Sequence, residues 1–275
     1  MGHRIRTAVA AGAVVLLGLA CLAQTSKAPR EKKHLLVIGE SAGFTHDSIS
    51  HGMIMLGKLG EESGLFDVTL RTDVQLITKK PLERNAKNLN YFDAIFFYTT
   101  GELPMDASQK ADFLSFLRDD GKGFIGAHSA TDTFYQWPEY GELIGGYFDN
   151  HPWHQQVRIK VEDRAFPATR HFPSTFSIND EIYQFRNFSR DRVRVLLSID
   201  NASIDLHKPG VHRTDGDFPV AWARRFGKGR VFYCSLGHEN EAWDRPDMQK
   251  MWLEAIRWVL GLTEGDATPR PKPQN

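Results

Sequence analysis

Four short segments are apolar almost without interruption: HLLVIG (34–39), DAIFFYTT (93–100), KGFIGA (122–127) and RVFYCSLG (230–237). A strand with one wet face alternates polar and apolar residues. Unbroken apolar runs therefore predict strands buried on both faces, as in a parallel sheet covered by helices. The intervening chain supplies those helices, at 47–59, 106–117, 140–148 and 247–260. In the last of them Met251, Ala255, Trp258 and Val259 fall at helical spacing. Strands alternating with helices make an open, mostly parallel α/β sheet with helices on both faces.

The segment 155–226 breaks this rhythm. Its runs VRIKVED, FSINDEIYQF, RVRVLLSID and FPVAWARRF are short, partly alternating, and separated by Asp, Asn, Gly and Pro. They predict an antiparallel, strand-rich insertion at one edge of the sheet rather than a second domain, and RRFGKGRVFYC reads as a hairpin around Gly-Lys-Gly.

In an open α/β sheet, ligands sit outside the carboxyl ends of the strands, so the residues after each apolar run carry the functional reading. The first run leads to Glu40, His46 and Asp47, the second to Thr100 and Glu102, the third to His128 and Asp132, and the fourth to His238, Glu239, Glu241 and Trp243. Four strand ends converge on imidazole, carboxylate and hydroxyl groups. His128, His238, Glu241, Asp132 and Glu102 are the candidates for chemistry. His46, Thr100, Trp153, His154, Trp243 and Glu181 are the candidates for contacts to a substrate. Plainer roles stand beside these: Asp47 can cap the helix it precedes, Glu102 can shape a turn before Pro104, and the tryptophans can pack in the core.

Several familiar machines are absent from the sequence. GAHSA places histidine where a G-x-S-x-G elbow has its nucleophile, no G-x-G-x-x-G follows the first strand, and there is no Walker A motif. Cys234 falls inside a strand and reads as structural.

The 275 residues carry 34 basic and 34 acidic side chains, a formal net charge of zero that gives no electrostatic footprint for nucleic acid or an anionic membrane. His3, Arg4 and Arg6 precede an apolar run at 8–23, so residues 1–23 read as a signal peptide cleaved after Ala20 or Ala23, too short for a stable membrane span. The expectation is an exported, periplasmic or secreted protein. Gly18 departs from the usual lipobox before Cys21, which disfavours a lipoprotein. Loss of Cys21 leaves Cys234 as the only cysteine and excludes an internal disulfide. A linker at 24–33, the α/β domain at 34–262 and a proline-rich, disordered tail at 263–275 complete the expected layout.

Six motifs in order, GFTHDSI, GKGFIGAHSATDTF, YGELIGGYFDNHP, NDEIYQF, FPVAWARRFGKGRVFYCSLGHENEAW and MWLEAIRWVLG, resemble the ThuA-like family, named after a trehalose-utilisation protein. The resemblance runs from Leu35 to Gly261 and implies a flavodoxin-like sheet similar to class I glutamine amidotransferases. It places His128 where those enzymes have a cysteine nucleophile and His238 where they have a catalytic histidine, so it implies one pocket while excluding thioester chemistry. Phe166 precedes Pro167 where family members often carry His-Pro.

The family's association with sugar catabolism implies a small carbohydrate substrate, an oxidised (3-keto) glycoside supplied by a sugar oxidoreductase. A lyase or hydrolase is the expected activity, by elimination or hydrolysis. His128 and His238 would act as acid and base, or with Glu241 as ligands of a divalent metal. Two other classes stay open: a noncatalytic sugar-binding protein, and an ordinary glycosidase pairing Glu102 with Glu241 or Glu181.

Overall fold

The computed structural model describes residues 1–3 and 31–272. The expected signal peptide and most of the linker lie outside the described residues. From Lys32 onward the chain forms one unit, built on a nine-stranded sheet in the order β2-β1-β3-β4-β9-β8-β7-β5-β6.

The four apolar runs become β1 (Lys33–Ile38), β3 (Ala94–Phe97), β4 (Gly123–Ala127) and β9 (Gly229–Cys234), adjacent and parallel. Their unbroken hydrophobicity follows from the period-two geometry of a strand with two covered faces. On β1, Leu35 and Val37 join one core cluster with Leu56, Trp252 and Trp258, while Leu36 and Ile38 join another with Phe113, Phe116 and Tyr140. Helices α1 (Ser48–Ser63) and α5 (Pro246–Val259) supply the first group, and α2 (Ala107–Arg118) and α3 (Pro138–Ile144) the second. Strand β2 (Phe66–Arg71) pairs with β1 at the edge; its mixed FDVTLR sequence gave no continuous apolar signal. Among the described residues no helix is long and apolar enough to cross a membrane.

The third helix is shorter than its sequence suggested. Gly145, at φ 102, ends α3 in a conformation that a Cβ disfavours, and Tyr147 already begins β5 (Tyr147–Val161). The antiparallel region thus starts at 147, not 155. It comprises β5, β6 (Thr175–Arg186), β7 (Arg194–Ile199) and β8 (Pro219–Phe226), the last forming the expected hairpin with β9. Strand β5 has two register shifts against β6, between Phe148 and Asn150 and between Asn150 and Trp153. Such irregularities bend a β-ribbon and increase its twist. Although β6 is last in the sheet order, it carries Asp180, Glu181 and Tyr183 to the carboxyl ends of β4 and β9.

Residues 263–272, expected to be disordered, instead lie against the domain. Trp258 donates to the Gly265 carbonyl at 3.1 Å, Asp266 pairs with Arg194 at 2.7 Å, and Ala267 is buried. Composition shows that such a segment has little core of its own; it does not show the side chains waiting elsewhere to hold it.

Candidate functional site

His128 sits at the end of β4, fully buried, with φ 43, a left-handed conformation uncommon outside glycine. Its Nδ1 lies 2.7 Å from the Ser235 carbonyl. A carbonyl only accepts, so Nδ1 carries a proton and Nε2 faces the rest of the cluster. That nitrogen is 3.0 Å from the Tyr183 hydroxyl, 3.3 Å from His238 Nδ1 and 3.5 Å from Glu181 Oε2. Burial raises the Tyr183 hydroxyl well above its ordinary pKa, so it keeps its proton.

His238 follows β9 and is held through the preceding peptide. The Gly237 carbonyl accepts from Tyr98 Oη at 2.6 Å, Trp243 Nε1 at 2.8 Å and Ser48 Oγ at 3.1 Å. The Gly237 N–H donates to Asp180 Oδ2 at 2.6 Å, and Asp180 Oδ1 accepts from the Glu181 and Glu239 amides at 2.9 and 3.2 Å. Burial raises the Asp180 carboxyl above its ordinary range, although the backbone donors act in the opposite direction.

Glu181 ties the imidazoles together. Its Oε2 is 3.1 Å from His238 Nδ1, and its Oε1 is 3.1 Å from His151 Nδ1. Burial alone would raise this carboxyl, but hydrogen bonds with His128 and His238 outweigh it and hold the group well below the usual carboxylate range. The same Glu181 bond raises His238. His46 closes the group, its ring centroid 4.8 Å from that of His128 and 5.1 Å from that of His238. Burial, with the two neighbouring imidazoles, pulls its pKa down to about 3. It is therefore neutral, and its buried Nδ1 has no hydrogen-bond partner among the described residues.

These four side chains each offer a ligand atom within 4.8 Å of all the others. A tetrahedral centre with bonds of about 2.0–2.1 Å places its ligand atoms about 3.3–3.4 Å apart. The observed separations among His128 Nε2, His238 Nδ1 and Glu181 Oε2 are 3.1, 3.3 and 3.5 Å. With the unpartnered nitrogen of His46, the three imidazoles and one carboxylate form a donor set compatible with a divalent metal.

The cluster opens into a cavity of about 270 Å³ walled by Phe44, Phe148 and Tyr183, with Asp132 and His151 at its polar side. Asp132 accepts from Tyr135 Oη at 2.5 Å, and burial raises its carboxyl above the ordinary aspartate value.

Of the residues singled out by sequence, His46, Asp132, Glu181 and His238 line this cavity, and His128 lies behind them in the cluster. Glu241 does not join the cluster as a ligand; it is exposed and lines an adjoining cavity, and Glu181 takes its place because bent β6 reaches over the strand ends. Glu102 is exposed, accepting from the Gln136 amide at 3.0 Å. Thr100 is buried and donates to the Phe44 carbonyl at 2.7 Å, fixing the loop after β1.

Trp153 and Trp243 are fully buried, their indole N–H groups spent on the Asp205 and Gly237 carbonyls, so neither is a contact platform. His154 is at the rim, 2.7 Å from Glu239. Cys234 is buried and its thiol is pushed up to about 12 by burial, consistent with a structural role. In sequence, Asp180-Glu181 reads as a candidate acid pair with Tyr183 beyond it, without the contacts that Asp180 and Tyr183 make here. The period of two from Glu181 to Tyr183 was the available signal that both face the same way.

The family model described as ThuA, trehalose utilisation, matches residues 34–259. The chain belongs to the ThuA family. Its fold is similar to that of a ThuA-like protein from Bacteroides uniformis, with 26% identity and a TM-score of 0.67 over 86% of this chain and 94% of that one. A ThuA-like protein from Parabacteroides merdae is 17% identical, with a TM-score of 0.65 over 89% and 94% of the two chains. A cytoplasmic protein from Salmonella typhimurium shares the fold at 13% identity and a TM-score of 0.56, over 82% and 99%. No curated protein matches the chain. The open sheet, with His128 on the turn after a central strand, agrees with the amidotransferase-like architecture of the ThuA family.

Proposed function

We propose that this ThuA-family protein is an exported carbohydrate-processing enzyme that cleaves oxidised (3-keto) glycosides by elimination. His46, His128, Glu181 and His238 would hold a divalent cation. The observation that carries the proposal is the matched triangle of His128 Nε2, His238 Nδ1 and Glu181 Oε2 beside a carboxylate-bearing cavity. When bound, such a cation supplies Lewis-acid stabilisation of negative charge developing on a ketone oxygen.

The protein's own groups do the rest. With all three cluster imidazoles committed as ligands, Asp132 becomes the base. Its raised carboxyl suits proton transfer near neutrality better than an ordinary aspartate does. It takes the proton from the carbon beside the ketone, and the C–H electron pair forms the enolate. Collapse of that enolate breaks the bond from the neighbouring anomeric carbon to the glycosidic oxygen. The proton passes from Asp132 through solvent to the departing oxygen, leaving an enone and an alcohol with no net oxidation. Phe148 and Tyr183 give the cavity its apolar wall. An ordinary glycosidase is less well supported, because Glu102 points its carboxylate into a loop contact rather than into this cavity.

The test offers matched glycosides, unoxidised and 3-keto, to the protein before and after chelation, with products identified by mass spectrometry and NMR. Turnover of keto substrates alone, lost on chelation, restored by one divalent metal and abolished in Asp132→Asn, is expected. Turnover that survives chelation, or equal cleavage of the unoxidised glycosides, would overturn the proposal. Saturable binding without any product would identify a sugar-binding protein instead.

A further inference from the structure

The cavity beside the metal-compatible cluster is one of a pair. A second, also about 270 Å³, shares Phe44, His46 and His238 with it and extends the other way, toward Asp47, Asn240 and Glu241. Each alone falls short of the roughly 300 Å³ at which small-molecule sites begin, whereas joined they fall within that range. The ridge between them is not a core element. Phe44 is 64% exposed although large and apolar, and its ring meets His46 edge-on at 4.8 Å. The Thr100 hydroxyl pins the Phe44 carbonyl at 2.7 Å, so the ring is presented by an anchored backbone. His46, only 6% exposed and with its Nδ1 unpartnered, lines both cavities.

The second cavity has its own chemistry. Asp47 stands at the N-cap of α1, where a carboxylate ordinarily accepts from the first turn, yet it makes no side-chain capping bond. Asn240 and Glu241 add an amide and a carboxylate from the start of helix α4 (Asn240–Asp244), while Glu239 is already paired with His154. Among the described residues, no lysine or arginine lines either cavity. Carboxylates and amides accept from and donate to hydroxyl groups. Away from the His46–His238 ridge, the second cavity offers phosphate or carboxylate no positive side chain and two carboxylates that repel it.

Building on the elimination chemistry proposed above, we infer that the cleft has two subsites and that the second receives the leaving group, an uncharged polyhydroxylated unit such as a second sugar ring. The oxidised ring lies against Phe148 and Tyr183. The bond that breaks crosses the ridge of Phe44, His46 and His238. Asp47, Asn240 and Glu241 take the hydroxyls of the departing unit. A phosphorylated leaving ring is disfavoured by Asp47 and Glu241, which no lysine or arginine offsets among the described residues, and a small alkyl group leaves the second subsite unused.

The experiment compares three substrates that share one 3-keto glucosyl ring: the methyl glycoside, a neutral disaccharide, and that disaccharide phosphorylated on its leaving ring. It uses the full chain loaded with whichever divalent metal supports turnover. The neutral disaccharide is expected to exceed the methyl glycoside in kcat/KM by about tenfold, the worth of one or two added hydrogen bonds. The phosphorylated one should fall below it by about the same factor. In the double variant Asp47→Asn, Glu241→Gln both ratios should move toward one. Equal kcat/KM for methyl and disaccharide substrates, or discrimination unchanged in the double variant, would overturn the second subsite while leaving the elimination reaction standing. If no keto substrate turns over, the reaction fails. The subsite is then judged by amide NMR with glucose and glucose 6-phosphate. Perturbation at Asn240 and Glu241 by glucose alone supports it, and perturbation by neither or equally by both overturns it.

Discussion

Asp180→Asn is the substitution that tests how the site is held together. The carboxylate is fully buried and accepts three backbone N–H groups, from Gly237, Glu181 and Glu239. An amide has one oxygen. If it serves Glu181 and Glu239, its NH₂ faces the Gly237 donor; if it serves Gly237, two donors lose their acceptor. At least one buried N–H is therefore orphaned, at about 1–3 kcal/mol each. Against this, burial disfavours the native charge, as the raised carboxyl shows, and the neutral amide escapes part of that cost. The net loss is about 1–2 kcal/mol, which for a domain of this size lowers Tm by roughly 2–8 °C. Gly237 immediately precedes His238, so the imidazole should move as well. Chemical denaturation read by tryptophan fluorescence measures the first effect, and the ¹⁵N imidazole shifts of His238 measure the second. Native-like stability together with unchanged His238 shifts would refute the reasoning, showing that the three donors on the Gly237 carbonyl suffice to hold the loop.

Other outcomes follow from single contacts. His151 is exposed and touches Glu181 Oε1, so His151→Ala should lower divalent-metal affinity by about 10–100-fold with little change in stability; competition with a chromophoric chelator measures it. At the left-handed backbone of His128, Asn is tolerated and a β-branched residue is not, so His128→Val should unfold more easily than His128→Asn by about 1–2 kcal/mol in urea titrations. Burial would raise Asp93, but the Lys122 ammonium at 2.9 Å and the His34 amide at 3.0 Å hold it below its ordinary value. Because its folded pKa lies below the unfolded one, its stabilisation is complete above about pH 4 and is lost as pH falls through the folded value. The stability gap between the native protein and Asp93→Asn should thus be flat from pH 5 to 7 and close below pH 4.

What the sequence disclosed depended on how locally each feature is encoded. The parallel core was legible because Leu35 through Ile38 must satisfy two apolar faces at once, and a strand's period of two leaves no polar position among them. His128 and His238 were legible for the same reason: each is the first titratable group after such a run, and β4 and β9 pair in register. Glu181 was read as a substrate contact and Glu241 as a ligand, because proximity along the chain favoured the residue three positions beyond His238, whereas it is Glu181 that lies against the imidazoles. The true partner arrives from 57 residues upstream of His238, on a strand at the far end of the sheet order, through a ribbon bent at two register shifts. No periodicity encodes such a bend. It becomes visible only when the buried Asp180 carboxylate is asked where its three donors come from, two of which belong to the loop that carries His238. The residue that completes the cluster and the residue that locks it in place are neighbours in sequence. Fixing Asp180 to the β9 loop therefore also delivers Glu181 to the imidazoles, and disturbing either should disturb both.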